Sequence, residues 1–187
     1  CALHAQRCNG GAAEDPAALL LTAGPAAGKT SMMSQLVMCA LDGELVPILI
    51  KVQRLQASFL ASPDAFAAAW NWVDAFLRCV HGADSDTYRF LRQAMMARRA
   101  LLLIDGLDEG GAKRTEIERH VTEVLARQGH VMLVTSRLAG IDEERFRKHF
   151  HRLELLPLTD EQQQQVIERR IGKGETRASS VDALHKL

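Results

Sequence analysis

The stretch Gly24-Pro25-Ala26-Ala27-Gly28-Lys29-Thr30-Ser31 places small residues ahead of a lysine and two hydroxyls. Small residues let backbone N–H groups curl around an anion, and a helix opening at Gly28 would add unpaired donors and a favourable dipole. In that arrangement Lys29 reaches the β and γ phosphates of a nucleotide, and the Thr30 hydroxyl coordinates Mg²⁺. The tripeptide Gly-Lys-Ser/Thr arises by chance in about one chain in ten of this length, so by itself it decides little. A second feature supplies the rest. Leu101-Leu102-Leu103-Ile104-Asp105 is an apolar run closing on an acid. As a strand it sets a carboxylate at the carboxyl edge of a sheet, where open α/β sheets bind ligands and where an Asp can hold Mg²⁺ through water. Asp108 and Glu109 stand just beyond, close enough to orient or deprotonate an attacking water.

These residues need particular elements to position them. Residues 18–23 form a short apolar run bounded by Gly24-Pro25, which reads as a buried strand. From Gly28 the pattern turns helical, with Met32, Met33, Leu36, Val37 and Ala40 on one face until Asp42-Gly43 stops it. Residues 46–52 are β-branched and aliphatic, a second strand. Ser62-Pro63-Asp64 opens a helix whose Phe66, Trp70, Val73, Leu77 and Val80 share a face. The helical spacing of Phe66, Trp70, Trp72 and Phe76 assigns these aromatics to the core and not to a base-stacking platform. A further helix over about 86–99 carries Tyr88, Leu91 and Met95.

The continuous run at 101–105 suits a parallel strand covered on both faces. Ile117, Val121, Val124 and Leu125 mark the next helix, 131–135 another buried strand, and 153–156 a weaker fifth. The last helix opens on the capping box Thr159-Asp160-Glu161-Gln162 and ends at Gly172 and Gly174. Five strands alternating with helices predict an α/β fold with a parallel sheet between helical layers.

Composition narrows the function. The chain has 187 residues, 23 Lys plus Arg against 23 Asp plus Glu, and 47% hydrophobic residues. This excludes disorder and a polybasic nucleic-acid tail. The longest apolar runs are far below the ~20 residues of a membrane helix, so no membrane partner is expected. Cys1, Cys8, Cys39 and Cys79 form no C-x-x-C pair, and no secretory leader is legible, so a reducing, cytoplasmic location is expected. The chain opens on Cys, not Met, which predicts an excised domain or an incomplete gene product with pieces missing at its ends. Arg145, Arg147, Lys148, His149, His151 and Arg152 read as a solvated helix face, making nucleic acid an unlikely partner. No metal other than nucleotide-borne Mg²⁺ is expected.

Residues 100–109, ALLLIDGLDE, resemble the Walker B segment of NACHT domains, members of the STAND class of P-loop NTPases found in NOD-like receptors and related signalling proteins. Residues 46–55, VPILIKVQRL, are similar to the family's second strand; 131–137, VMLVTSR, to its sensor 1 strand; and 153–162, LELLPLTDEQ, to the stretch leading into its helical subdomain. The resemblance covers about residues 18–172. It implies a three-layer P-loop NTPase sandwich with a five-stranded parallel sheet, in which the Thr135 strand separates the Walker A and Walker B strands. The implied organisation is a lead-in segment over 1–16, a NACHT-like core over 17–158 and the start of a helical subdomain over 159–187.

By the same resemblance Gly24, Pro25, Ala26, Ala27, Gly28, Lys29, Thr30 and Ser31 bind nucleotide. Thr30 and Asp105 handle Mg²⁺, Asp108 is the hydrolytic acid with Glu109 in support, and Thr135 or Ser136 and Arg137 lie near the γ-phosphate. The implied cofactors are ATP and Mg²⁺. The implied activity is a slow nucleoside triphosphatase acting as a molecular switch, with nucleotide-dependent self-association or signalling partners. The chain departs from the family where Ala23 and Ala26 replace glycines and Leu138 replaces a proline. A degenerate, non-hydrolysing scaffold is therefore the alternative, and a small P-loop kinase a third reading. Against the kinase stand the Asp105–Glu109 acids, which suit water better than an acceptor substrate.

Overall fold

The computed structural model describes residues 18–25 and 27–171. The expected lead-in at 1–16 and the helix-ending Gly172 and Gly174 lie outside the described residues. Five strands form one sheet: β1 (Ala18–Ala23), β2 (Val46–Lys51), β3 (Ala100–Asp105), β4 (Val131–Ser136) and β5 (Phe150–Leu155). All pairings are parallel and the order is β2-β3-β4-β1-β5. The Thr135 strand thus lies between the strand that precedes Lys29 and the strand that ends at Asp105, as expected.

Alternation along the inner strands divides the core between the two faces. Leu20, Ile48, Ile50, Leu102, Ile104, Met132 and Val134 face one layer of helices. Leu21, Leu103 and Leu133 face the other side, where α1 (Lys29–Leu41) seats the fully buried Met33 with Met32, Leu36 and Val37 beside it. Residues apolar on both faces are what strands sandwiched between helices require. The first layer comprises α2 (Val52–Ala61), α3 (Pro63–Ala67), α4 (Trp72–His81), α5 (Asp86–Met96), α6 (Arg114–His120), which continues into a π-helical turn at Val121–Leu125, and α7 (Glu143–Arg147).

Several expectations are corrected. The second strand stops at Lys51, and Val52 begins α2 with no intervening loop, because Val52, Leu55 and Phe59 share a helical face against the core. The single helix expected from Ser62 through Val80 is two. Asn71 breaks it, its buried side chain accepting the Asp74 N–H at 2.9 Å and donating to Gln128 at 2.8 Å. The aromatic group divides accordingly: Phe59, Phe66 and Trp72 form a cluster, Phe76 is buried, and Trp70 lies apart with its edge toward His130. Val80 is likewise exposed. The helix expected to reach residue 99 ends at Met96, and Arg98 then takes a left-handed backbone, φ 58°.

Strand β5 starts at Phe150, three residues before the expected 153, because Phe150 packs on Phe146 in the core. This also dissolves the expected basic helix face. Its residues split between α7 and β5, and Arg145, Arg147 and Arg152 pair with Asp142, Glu144 and Glu143.

His120 caps this layer. It accepts the Trp72 N–H at 3.0 Å and stacks on the indole at 4.5 Å, and burial lowers its pKa from 6.5 to about 4, so it stays neutral.

A first compact unit ends at Leu155 and a second begins at Leu156. The second contains α8 (Asp160–Ile171), opened by a reciprocal capping box: the Thr159 hydroxyl accepts the Gln162 N–H at 3.3 Å, and the Gln162 amide oxygen accepts the Thr159 N–H at 3.0 Å. Among the described residues no helix is long and apolar enough to cross a membrane.

Candidate functional site

The carboxyl ends of β1, β3 and β4 meet at one cleft of about 280 Å³. Its first wall is the turn between β1 and α1. Gly28 sits at the helix start with φ 87°, a backbone that an L side chain adopts only under strain, and nothing lies within 4 Å of where its side chain would project. The first helical bond is Met32 N–H to Gly28 C=O at 2.9 Å. The N–H groups of the first turn, through Lys29, Thr30 and Ser31, therefore have no acceptor within the helix. Pro25, Ala27, Gly28, Lys29, Thr30 and Ser31 line the cleft. Gly24 contributes from behind through its carbonyl, and Ala26 lies outside the described residues.

Lys29 is half-buried and donates to Ala23 C=O at 3.2 Å and Gly24 C=O at 3.1 Å. An ammonium has three donors, so one remains for the cleft.

Asp105 forms the second wall and is 7% exposed. One carboxylate oxygen accepts the Thr135 hydroxyl at 2.7 Å, and the other accepts the Thr30 hydroxyl at 3.0 Å. The Thr135 hydroxyl in turn accepts the Gly106 N–H at 2.9 Å. A buried carboxylate is tolerated only with such partners, and these aim it across the cleft at the start of α1. Thr135 is thus the residue that connects β4 to Asp105, whereas the Ser136 hydroxyl turns away to the Arg137 carbonyl at 3.1 Å.

Gly106, absent from the expected site residues, also lines the cleft. Its φ is 77°, and an added Cβ would come within 3.1 Å of the Glu109 carboxyl group, which folds back over it. A glycine directly after a strand-ending acid was the available signal.

The third wall carries two acids and a guanidinium. Asp108 and Glu109 lie in the 3₁₀ turn Leu107–Glu109, Asp108 partly covered and Glu109 exposed. Arg137 grips Asp108 twice: its Nε lies 3.1 Å from one carboxylate oxygen, and its backbone N–H donates to the other at 3.1 Å. Its side chain remains 56% exposed.

The donor set fits a magnesium-bound phosphate chain: free helix N–H groups, an ammonium and a guanidinium for the oxygens, and a hydroxyl with a carboxylate for the metal. Of the described residues named from the sequence, Pro25, Ala27, Gly28, Lys29, Thr30, Ser31, Asp105, Asp108, Glu109 and Arg137 line the cleft, Thr135 reaches it through Asp105, Gly24 gives only its carbonyl, and Ser136 points elsewhere.

No family model matches the chain, and no curated protein matches it. Among solved structures it is similar to PCH-2 of C. elegans, at 14% identity and TM-score 0.52 over 91% of this chain and 44% of that one. It is also similar to AMPPCP-bound DnaA from Aquifex aeolicus, at 13% identity and TM-score 0.54 over 95% and 53%. At such identities the likeness shows the fold alone, an α/β fold with a five-stranded parallel sheet between helices, and the chain spans about half the length of these neighbours.

Proposed function

We propose that the cleft binds ATP with Mg²⁺ and that the module is a nucleotide-dependent switch of NACHT type within a longer signalling protein, hydrolysing ATP slowly. The observation that supports this best is the meeting of Lys29, Thr30, Asp105, Asp108 and Arg137 from three separate strand ends. Thr30 and Asp105, 3.0 Å apart, are the residues to hold Mg²⁺, which when bound supplies charge neutralisation at the phosphate oxygens.

Arg137 has two partners to choose between. Without nucleotide it holds Asp108. With phosphate oxygens in reach it exchanges that carboxylate for them, which frees Asp108 to accept a proton from water, with Glu109 beside it. A γ-phosphate biases a two-state element only through contacts made in one state, and this exchange is such a contact. The output would be self-association or signalling partners, in a cytoplasmic setting. Isothermal titration with ATP and Mg²⁺ should give saturable heat, with an affinity that Lys29→Ala weakens at least about tenfold; identical silence from both proteins sinks the reading.

A second reading, a nucleotide-fold scaffold without turnover, is favoured by one contact. Lys29 already rests on the carbonyls of Ala23 and Gly24, the region where the family has glycine and this chain has Ala23. Phosphate release that exceeds a Lys29→Ala control and disappears in Asp108→Ala removes it.

A further inference from the structure

A second cavity, of about 310 Å³, opens beside the sheet edge between β2, the start of α2, α4 and α5. Ile48, Leu49, Phe76, Leu77, Val80 and Leu91 wall it. Ile48, Phe76 and Leu77 also belong to the packed core, so this wall is held in place before any ligand arrives. Lys51, Arg54 and His81 stand at the same cavity, and no acidic residue lines it.

Those three basic side chains have no hydrogen bond or ion pair among the described residues. Elsewhere on this surface Arg89, Arg92, Arg114, Arg145, Arg147 and Arg152 each pair with an acid. An apolar pocket that gathers three basic groups and no acid selects an anionic head on an apolar body. Pro47 removes a backbone donor from this outer strand, which disfavours an added peptide strand as the occupant. The volume lies at the small end of ligand pockets.

We propose that this cavity binds a small amphipathic carboxylate, a straight acyl chain of roughly eight carbons. The chain lies against Phe76, Leu77 and Leu91, and the carboxylate meets Lys51, Arg54 and the His81 ring N–H. The planar guanidinium of Arg54 matches a carboxylate with two parallel hydrogen bonds. Neither Lys29 nor Asp105 takes part, so the inference stands apart from the nucleotide reading.

The test is calorimetric titration of the 187-residue chain with sodium octanoate below its micelle concentration, with octylamine and 1-octanol as controls. Octanoate should bind saturably at one site, and both controls about tenfold more weakly or worse. Lys51→Gln/Arg54→Gln changes two exposed side chains and should weaken octanoate about tenfold with an unchanged thermal midpoint. Val80→Trp, which fills the cavity mouth, should block binding while leaving the charges, and Lys29→Ala should leave it unaltered. Absence of saturable heat, octylamine binding as tightly as octanoate, or an unaffected double variant each overturns the proposal.

Discussion

Two walls of the cleft at the β1 and β3 ends are built on opposite principles. At the end of β3, Asp105 is buried and locked between the Thr30 and Thr135 hydroxyls, with Thr135 tied in turn to Gly106. Facing it, Lys29 rests on two carbonyls and the exposed Arg137 rests on Asp108. The locked wall owes its geometry to burial, where an unpaired polar group costs most. The cationic wall owes its present geometry to partners that, on the proposed reading, a phosphate outcompetes. The proposed switch, changing state on losing one phosphate, would use both: a fixed reference point and groups free to exchange.

Variants can separate the two. The largest effect belongs to the exchanging wall. Lys29→Ala should weaken ATP by about 10- to 100-fold in calorimetry, the loss of a charge-assisted hydrogen bond, while the urea midpoint of the free protein hardly moves. The locked wall should show the reverse bias. Asp105→Ala strands the Thr135 hydroxyl in the interior and should lower unfolding stability by about 2 to 3 kcal/mol without any nucleotide, as read by urea denaturation.

Acid provides a perturbation remote from both walls. The unfolded chain protonates a histidine near 6.5, but the folded chain holds His120 neutral down to about 4. Protons therefore bind the unfolded state first. The contribution is complete above pH 6.5 and is lost as pH falls toward 4, by about 1 to 2 kcal/mol after allowing for partial exposure. His120→Gln should flatten urea midpoints across that window while ATP affinity at pH 7 stays put. The smallest effect is expected of Arg137→Ala, below about 1 kcal/mol in the free protein because its ion pair is largely solvated. Its consequence should appear instead as a loss of difference between ATP and ADP affinities; equal discrimination in wild type and variant would contradict the exchange described here.

Much of this was legible in the residues. The apolar run closing on Asp105 and the small-residue turn before Lys29 are local signals, and both end where strand and helix ends require. The capping box at Thr159 is equally local, and its two hydrogen bonds form as written. What escaped depended on space or on overlapping periods. Val52 continues an aliphatic strand and also begins a helical face with Leu55 and Phe59, and only the packing on the sheet chooses between them. Asn71 interrupts a run whose apolar spacing reads through it, although an Asn three residues before Asp74 is a legible cap. The Arg137 to Asp108 pair joins loops 29 residues apart, and follows only from β3 lying next to β4. The separate cavity beside β2 had no sequence signature, because Lys51, Arg54 and His81 converge through three different elements.

The backbone register of β3 with β4 runs from Leu101 opposite Val131 to Ile104 opposite Val134 and goes no further. Beyond it, one hydroxyl on Thr135 spans the diverging main chains, giving its proton to Asp105 and taking that of Gly106. The sheet is thus stitched shut by a side chain at the point where its strands part. A valine there, equal in shape, would undo both stitches together, letting the strand tips splay and leaving Asp105 with one partner fewer.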